Sequence, residues 1–329
     1  MDVTAPRGMD VARRAVGTGM NSPVIGTSLW FAQPENAVDE TIVRAQVAAD
    51  AGLGKVWLGQ RFDYDAITLT ALIAQEVSGI GVGVSAVPIF SRHPINVAAA
   101  AQTAQAASHG RFELGLALGA APLIEGTYGV DFRRPVRRLE EFLTIIGSLL
   151  RTGSSDFRGT EISSTTPLPT GLPGAEPVPP ILVAALGPRA LEVSGRLADG
   201  ILPNLAGPSV LEQHIVPVVA TAARESGRPE PRIVPLVPAL VTDDPAAAFD
   251  QLSTATALYD TIPSYRRVLD LGGHTRAAEL GLIGDARHVA DGLRRYFDAG
   301  ATEIILTQTA TLGPDAEKRT WEAAAGVVG

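Results

Sequence analysis

The residues best suited to chemistry lie in short runs where an apolar stretch gives way to Gly, Pro or a polar cluster. One is Ala184-Ala185-Leu186-Gly187-Pro188-Arg189. An extended run ends there and the chain turns through Gly187. Pro188 suits the first position of a helix, where its missing N–H has no partner to lose. Free backbone N–H groups and the positive end of the helix dipole then make an anion site. Read functionally, the run clamps a phosphate; read plainly, it is one strand–turn–helix junction among several. A second run is Ser85-Ala86-Val87-Pro88-Ile89-Phe90-Ser91-Arg92-His93-Pro94. Its small residues let a planar ligand approach the backbone. Arg92 and His93 supply positive charge and donors, or else pair with a local carboxylate and cap a loop. In Gly59-Gln60-Arg61-Phe62, Arg61 could hold an anion or orient a carbonyl, or stand in solvent. Glu125 and Tyr128 are proton-donor candidates or structural hydrogen-bond partners. Trp30 could floor an aromatic pocket or plug a barrel top.

Other chemistries are poorly provided for. There is no cysteine, which excludes disulfides, thiolate metal sites and cysteine nucleophiles. The histidines His93, His109, His214, His274 and His288 show no ligand spacing, so no metal is expected. GxSxG, GxGxxG and P-loop motifs are missing, and no carboxylate pair suits glycoside hydrolysis. A net charge of −8 with no basic run argues against nucleic acid and anionic membranes. No apolar stretch approaches the roughly 20 residues of a membrane span. Residues 1–21 carry Arg7, Arg13 and Arg14 but no apolar h-region. They are expected to be a disordered extension before a second possible start at Met20, the alternative being an Arg-bearing presequence. A cytoplasmic location is expected. Lys55 and Lys318 are the only lysines. That bias, with abundant Ala, Gly and Pro, hints at an actinobacterial coding sequence.

The elements that must position these residues alternate between short apolar runs and longer amphipathic ones, the pattern of parallel βαβ units. Strands are expected at 24–30, 55–58, 79–87, 111–118, 181–185, 200–203, 232–241 and 303–307. Pro235 and Pro238 make the seventh irregular. Helices are expected at 38–50, 65–77, 95–107, 135–150, 188–197, 211–225, 286–299 and 315–325. Residues 153–180 read as a connecting segment with one short hairpin, and 245–271 as a helical insertion. The pattern predicts one (β/α)8 TIM-barrel domain over 22–329, with insertions at about 153–180 and 242–284. Chemistry in such a barrel sits at the C-terminal ends of the strands, where the runs described above fall.

At these same places the chain resembles the luciferase-like superfamily, and within it the coenzyme F420-dependent branch. Ser91-Arg92-His93-Pro94 leads into Ala107-Ser108-His109-Gly110-Arg111-Phe112-Glu113-Leu114-Gly115, similar to the family's RHP, helix and GRF-x-LG signature. The stretch from Leu182 to Gly200 resembles its phosphate-binding strand and helix, ending in Ala198-Asp199-Gly200. Glu125-Gly126, Arg134-Pro135-Val136-Arg137, His214-Ile215-Val216-Pro217 and Pro263-Ser264-Tyr265-Arg266 are similar to an actinobacterial F420 subgroup. The resemblance spans about 24–309. It implies a non-prolyl cis peptide at Ser85–Ala86 backing the deazaflavin ring. The cofactor contacts it suggests are Ser28, Gln60, Ser85, Ala86, Val87, Ala185, Leu186, Gly187 and Pro188. Trp30 and Phe90 are expected in a substrate pocket, and Arg61, Glu125 and Tyr128 as catalytic residues.

Two departures from the family sharpen the expectation. Its sugar-phosphate dehydrogenases carry Asp-His where this chain has Gln60-Arg61, and a glutamate where it has Ala120. The resemblance therefore implies a reductase that moves hydride from reduced F420 to an activated C=C or C=N bond of a small biosynthetic intermediate. The alternatives are an FMN-dependent monooxygenase and a noncatalytic ligand-binding barrel. A homodimer is expected from the family.

Overall fold

A computed structural model describes residues 23–30 and 34–329. The expected N-terminal extension lies outside the described residues. The strands are β1 (Val24–Ser28), β2 (Lys55–Leu58), β3 (Gly81–Pro88), β4 (Phe112–Ala117), β5 (Asp156–Arg158), β6 (Ser163–Thr165), β7 (Ile181–Ala184), β8 (Gly200–Ile201), β9 (Arg232–Ile233), β10 (Leu236–Val241), β11 (Leu282–Gly284) and β12 (Glu303–Thr307). The helices are α1 (Ala37–Asp50), α2 (Ala66–Glu76), α3 (Pro94–Ala107), α4 (Ala121–Tyr128), α5 (Pro135–Thr152), α6 (Pro188–Leu197), α7 (Pro208–Val210), α8 (Val216–Glu225), α9 (Pro245–Thr256), α10 (Pro263–Leu271), α11 (Ala286–Asp298) and α12 (Pro314–Ala325). Among the described residues no helix is long and apolar enough to cross a membrane.

Parallel pairing runs in the order β12-β1-β2-β3-β4-β7-β8-β9, and β10 pairs with β12. The segments β9 and β10 are two halves of the expected seventh strand. The first half pairs with β8 and the second with β12, so this one segment closes the ring. Pro235 lies at the break because it has no N–H to give a ladder. Its carbonyl still accepts from Ile305 N at 2.9 Å. The result is the expected (β/α)8 barrel.

Inside the ring, bulk and glycine alternate. A Cβ on Gly81 would come within 2.6 Å of Lys55 Cγ, and one on Gly83 would run into the Trp57 ring. Glycine at these positions is therefore what lets Lys55 and Trp57 point inward from the strand between. At the N-terminal ends of the strands Lys55 Nζ meets Glu113 Oε1 at 2.5 Å and Glu303 Oε2 at 2.6 Å. Arg232 Nη2 meets Glu113 Oε2 at 2.9 Å and Glu303 Oε2 at 2.7 Å. Two cations and two carboxylates thus tie four strands together. Burial alone would raise the Glu113 carboxyl, but Lys55 and Arg232 outweigh it and hold it below the ordinary range. Above this layer Trp57, Leu182, Leu202, Val234 and Ile305 pack as a separate apolar cluster.

The motifs behind the family resemblance do structural work here. Arg111 Nε donates to Ser108 O at 2.9 Å, and its Nη atoms bond Ala74, Val77 and Ile80 carbonyls. These last include the orphan carbonyls at the end of α2. Arg92 pairs with Asp65 at 2.6 Å, and His93 Nδ1 accepts from Ile95 N to cap α3.

Three elements differ from expectation. Residues 121–128 form α4, where a strand-end loop is expected; Pro122 opens it and left-handed Gly129 closes it. The helix expected at 211–225 begins as a π turn over Leu211–Ile215, just before Pro217, which has no N–H to continue an α pattern. β11 is a three-residue strand beside Ala239–Val241, too short for a periodic signal.

The hairpin β5–β6 falls within 153–180 and is pinned from α5. Buried Glu141 accepts from Thr160 N at 2.9 Å and from Glu161 N and Ile162 N, each at 2.8 Å. Arg137 Nε adds a contact at 2.8 Å. Burial opposes ionisation, but the three backbone donors and Arg137 outweigh it and hold the carboxyl at about 2.

Two outcomes follow for stability. Lys55→Met leaves two carboxylates on Arg232 alone and should cost about 3–5 kcal/mol, read from urea denaturation. An unchanged midpoint would contradict the role assigned to the quartet. Glu141→Gln should cost about 3 kcal/mol at pH 7. Because the folded value lies below the ordinary 4.5, the gap between variant and wild type is full above that pH and closes as pH falls toward 2. Denaturation at pH 7 and pH 3 measures both ends.

Candidate functional site

The C-terminal ends of the ring strands surround a cavity of about 780 Å³, within the usual range for small-molecule sites. Leu202, Leu236, Ala86 and Ala184 continue the apolar interior layer up into its floor. Ser28, Ala117 and Ala184 end their strands, Gly59 follows β2, and Ser85 and Ala86 stand at the bulge within β3; all are small, so a flat ligand can lie close to backbone. The Ser85–Ala86 peptide is cis, as the family resemblance implies. The β3–β4 register shifts between Val84 and Val87 around it. Ser85 Oγ is buried without a hydrogen-bond partner.

The β2 side of the cavity is organised by Gln60. Its Nε2 donates to Arg61 O at 2.6 Å and to Tyr64 O at 2.5 Å. Its Oε1 accepts from Ala66 N at 3.1 Å and from Arg92 Nη2 at 2.9 Å. The amide is thus spent on loop structure while its edge still lines the cavity. Arg61 grips Asp63 through two bonds of 3.0 and 2.9 Å and lies over the rings of Trp30 and Tyr64. Tyr64 donates to Gly59 O at 2.9 Å, and burial pushes its hydroxyl up to about 12.

Of the residues expected from sequence, Ser28, Trp30, Gln60, Arg61, Ser85 and Ala86 share this cavity. Others lie apart from its lining. Phe90 is buried, stacked on Phe132 at 4.6 Å with Arg138 over its ring. Val87 is fully buried in the barrel wall. Glu125 and Tyr128 stand on α4, where Glu125 accepts from Phe132 N at 3.2 Å and Tyr128 packs against Phe62. The junction Ala185–Pro188 follows lining residue Ala184. Gly187 caps α6 with no side-chain hydrogen bond, and a Cβ there would meet nothing within 4 Å.

Sequence reasoning missed the opposite wall. Asn204, after β8, faces Tyr259 and Tyr265 from the insertion after β10. Asn204 Nδ2 donates to the Tyr265 hydroxyl at 3.2 Å, and the two tyrosine rings meet edge-on at 4.9 Å. Burial, and then Tyr259, push the Tyr265 hydroxyl up to about 12. Gln308 and its threonine neighbours complete the wall after β12. Thr307 ends β12 and Asn204 lies shortly after β8, so the strand-end rule could have found both; no periodicity marked the tyrosines. Among the described lining residues Arg61 carries the one charged side chain, and none is Asp, Glu, His or Lys.

With this geometry, the chain compares closely with known proteins. A family model described as luciferase-like monooxygenase matches residues 24–303. A Mycobacterium tuberculosis protein named as a coenzyme F420-dependent oxidoreductase is 28% identical over 84% of this chain and 92% of its own. An F420-dependent secondary alcohol dehydrogenase solved with an F420–acetone adduct superposes with a TM-score of 0.77 at 18% identity, covering 94% of this chain and all of the other. The oxygenating component of 3,6-diketocamphane monooxygenase from Pseudomonas putida, solved with FMN, gives 0.74 at 15% identity, covering 94% and 98%. The family model spans the ring from β1 to the first residue of β12, so the chain belongs to the luciferase-like monooxygenase family.

Proposed function

We propose that the chain is a coenzyme F420-dependent oxidoreductase working as a reductase on an activated double bond of a small organic molecule. The observation that carries this reading is the floor of the cavity. Small strand ends there leave backbone open to a planar ring, and Ser85 Oγ is a buried polar atom in want of a partner. Such an atom costs free energy unless a ligand or water satisfies it. Ser28, Ser85, Ala86 and the edge of Gln60 would hold the ring system. The uncapped start of α6 at Gly187 and Pro188, open at the Gly187 Cβ position, would hold the phosphate. These residues fit the group. Bound there, reduced F420 would supply a hydride. The relatives named for F420 support this choice, and the lack of carboxylate and imidazole among the described lining residues supports reduction over dehydrogenation.

A fluorescence titration of the purified protein should show saturable F420 binding. Binding of FMN instead, with oxygen-dependent turnover, would replace this reading with that of a monooxygenase. Gly187→Asp separates the phosphate role from folding. Asp is at least as good a helix N-cap as Gly, so stability should hold or rise by a few tenths of a kcal/mol. F420 affinity should nevertheless fall at least about tenfold, because like charges would face each other across the contact. Equal affinity would remove the phosphate from this junction.

A further inference from the structure

Hydride delivery to a conjugated carbonyl compound drives charge onto the carbonyl oxygen. An enzyme gains rate by placing a donor where that charge develops. The proton donors expected from sequence are poorly placed for this. Arg61 is engaged with Asp63, and Glu125 and Tyr128 lie outside the cavity lining. No carboxylate, imidazole or amine lines the cavity among the described residues. The acidic protons on its walls are the phenols of Tyr64, Tyr259 and Tyr265, and Tyr64 spends its proton on Gly59 O.

Tyr259 and Tyr265 both lie toward the Asn204 amide, unlike Tyr64, and Tyr265 is the one within 3.2 Å of it. The Tyr265 oxygen accepts from Asn204 Nδ2, which leaves the phenolic proton to be given elsewhere. Among the described residues Asn204 is its one hydrogen-bond partner. The Tyr259 ring, edge-on at 4.9 Å, and the Leu205–Leu269–Leu280 cluster hold the Tyr265 ring against the cavity wall. The donor is thus oriented from behind by an amide and from the sides by packing.

We infer that Tyr265 is a catalytic residue that takes the carbonyl oxygen of an α,β-unsaturated ketone or aldehyde, with Asn204 as its positioning residue. The inference rests on the reductase reading above. In the step it serves, a hydride from a reduced deazaflavin forms a C–H bond at the β carbon. The C=C π pair shifts to make the new α-carbon–carbonyl-carbon double bond, and the C=O π pair moves onto oxygen. The Tyr265 O–H bond breaks and its proton joins that oxygen. The enol relaxes in water to the saturated carbonyl compound, and solvent reprotonates the phenolate. A phenol is protonated at neutral pH, so the proton is present when needed.

The test uses full-length protein, F420 and 2-cyclohexenone as the probe. F420 titration comes first, because its failure would sink the cofactor reading rather than this one. With F420 bound, the infrared C=O stretch of the enone should shift down in wild type and return toward the free value in Tyr265→Phe. That variant keeps the ring and its packing. Its kcat for enone reduction should fall about 10²–10⁴-fold with F420 affinity unchanged. Asn204→Ala should lower kcat by less and weaken the carbonyl shift without abolishing it. Tyr265→Phe with a wild-type carbonyl frequency or wild-type kcat would overturn the assignment. An enone that fails to bind the F420-loaded wild type would overturn the substrate class.

Discussion

Everything at the open end of this barrel depends on how its closed end is filled. A ring of eight strands has an interior too narrow for a bulky side chain on every strand. Here Gly81 and Gly83 yield the space that Lys55 and Trp57 occupy from the neighbouring strand. The charged quartet of Lys55, Glu113, Arg232 and Glu303 then links strands far apart in sequence. Burying four charges gains little over an apolar layer, and its better-attested use is to fix one arrangement among several. With strand register fixed at the bottom, Ser28, Ser85, Ala117 and Ala184 arrive together at the top.

The ring was legible in the sequence because its units are long and repeated. Eight apolar runs separated by amphipathic helices carry enough periodicity to locate every ring strand, even where Pro235 splits one. Two short elements were not legible. β11 has three residues, and α4 hides between Ala120 and Gly129 in a stretch that reads as a strand-end loop. The π turn before Pro217 shows the same limit, since its side-chain spacing still looks helical.

For the site, position read better than role. The rule that chemistry gathers at C-terminal strand ends led to Trp30, Gln60, Arg61 and Ser85, and all four line the cavity. Their polar atoms, however, are largely committed by contacts that sequence does not carry. Gln60 serves its own loop, and Arg61 serves Asp63. Tyr259 and Tyr265 were invisible as wall residues because folding of a long insertion, not spacing, brings them to Asn204. Loop-borne groups on a rigid scaffold are where function concentrates and where local pattern says least.

The attachment of that insertion separates it from the closure of the ring. β11 pairs with β10 only at Ala239–Val241, beyond the residues of β10 that pair with β12 to close the ring. The segment bearing the two tyrosines therefore hangs from an outrigger rather than from the hoop itself. Its length and side chains can change while the β10–β12 pairs that close the hoop stay in place. One barrel can in this way serve as a template, its strand-end floor kept while the wall built by the insertion changes.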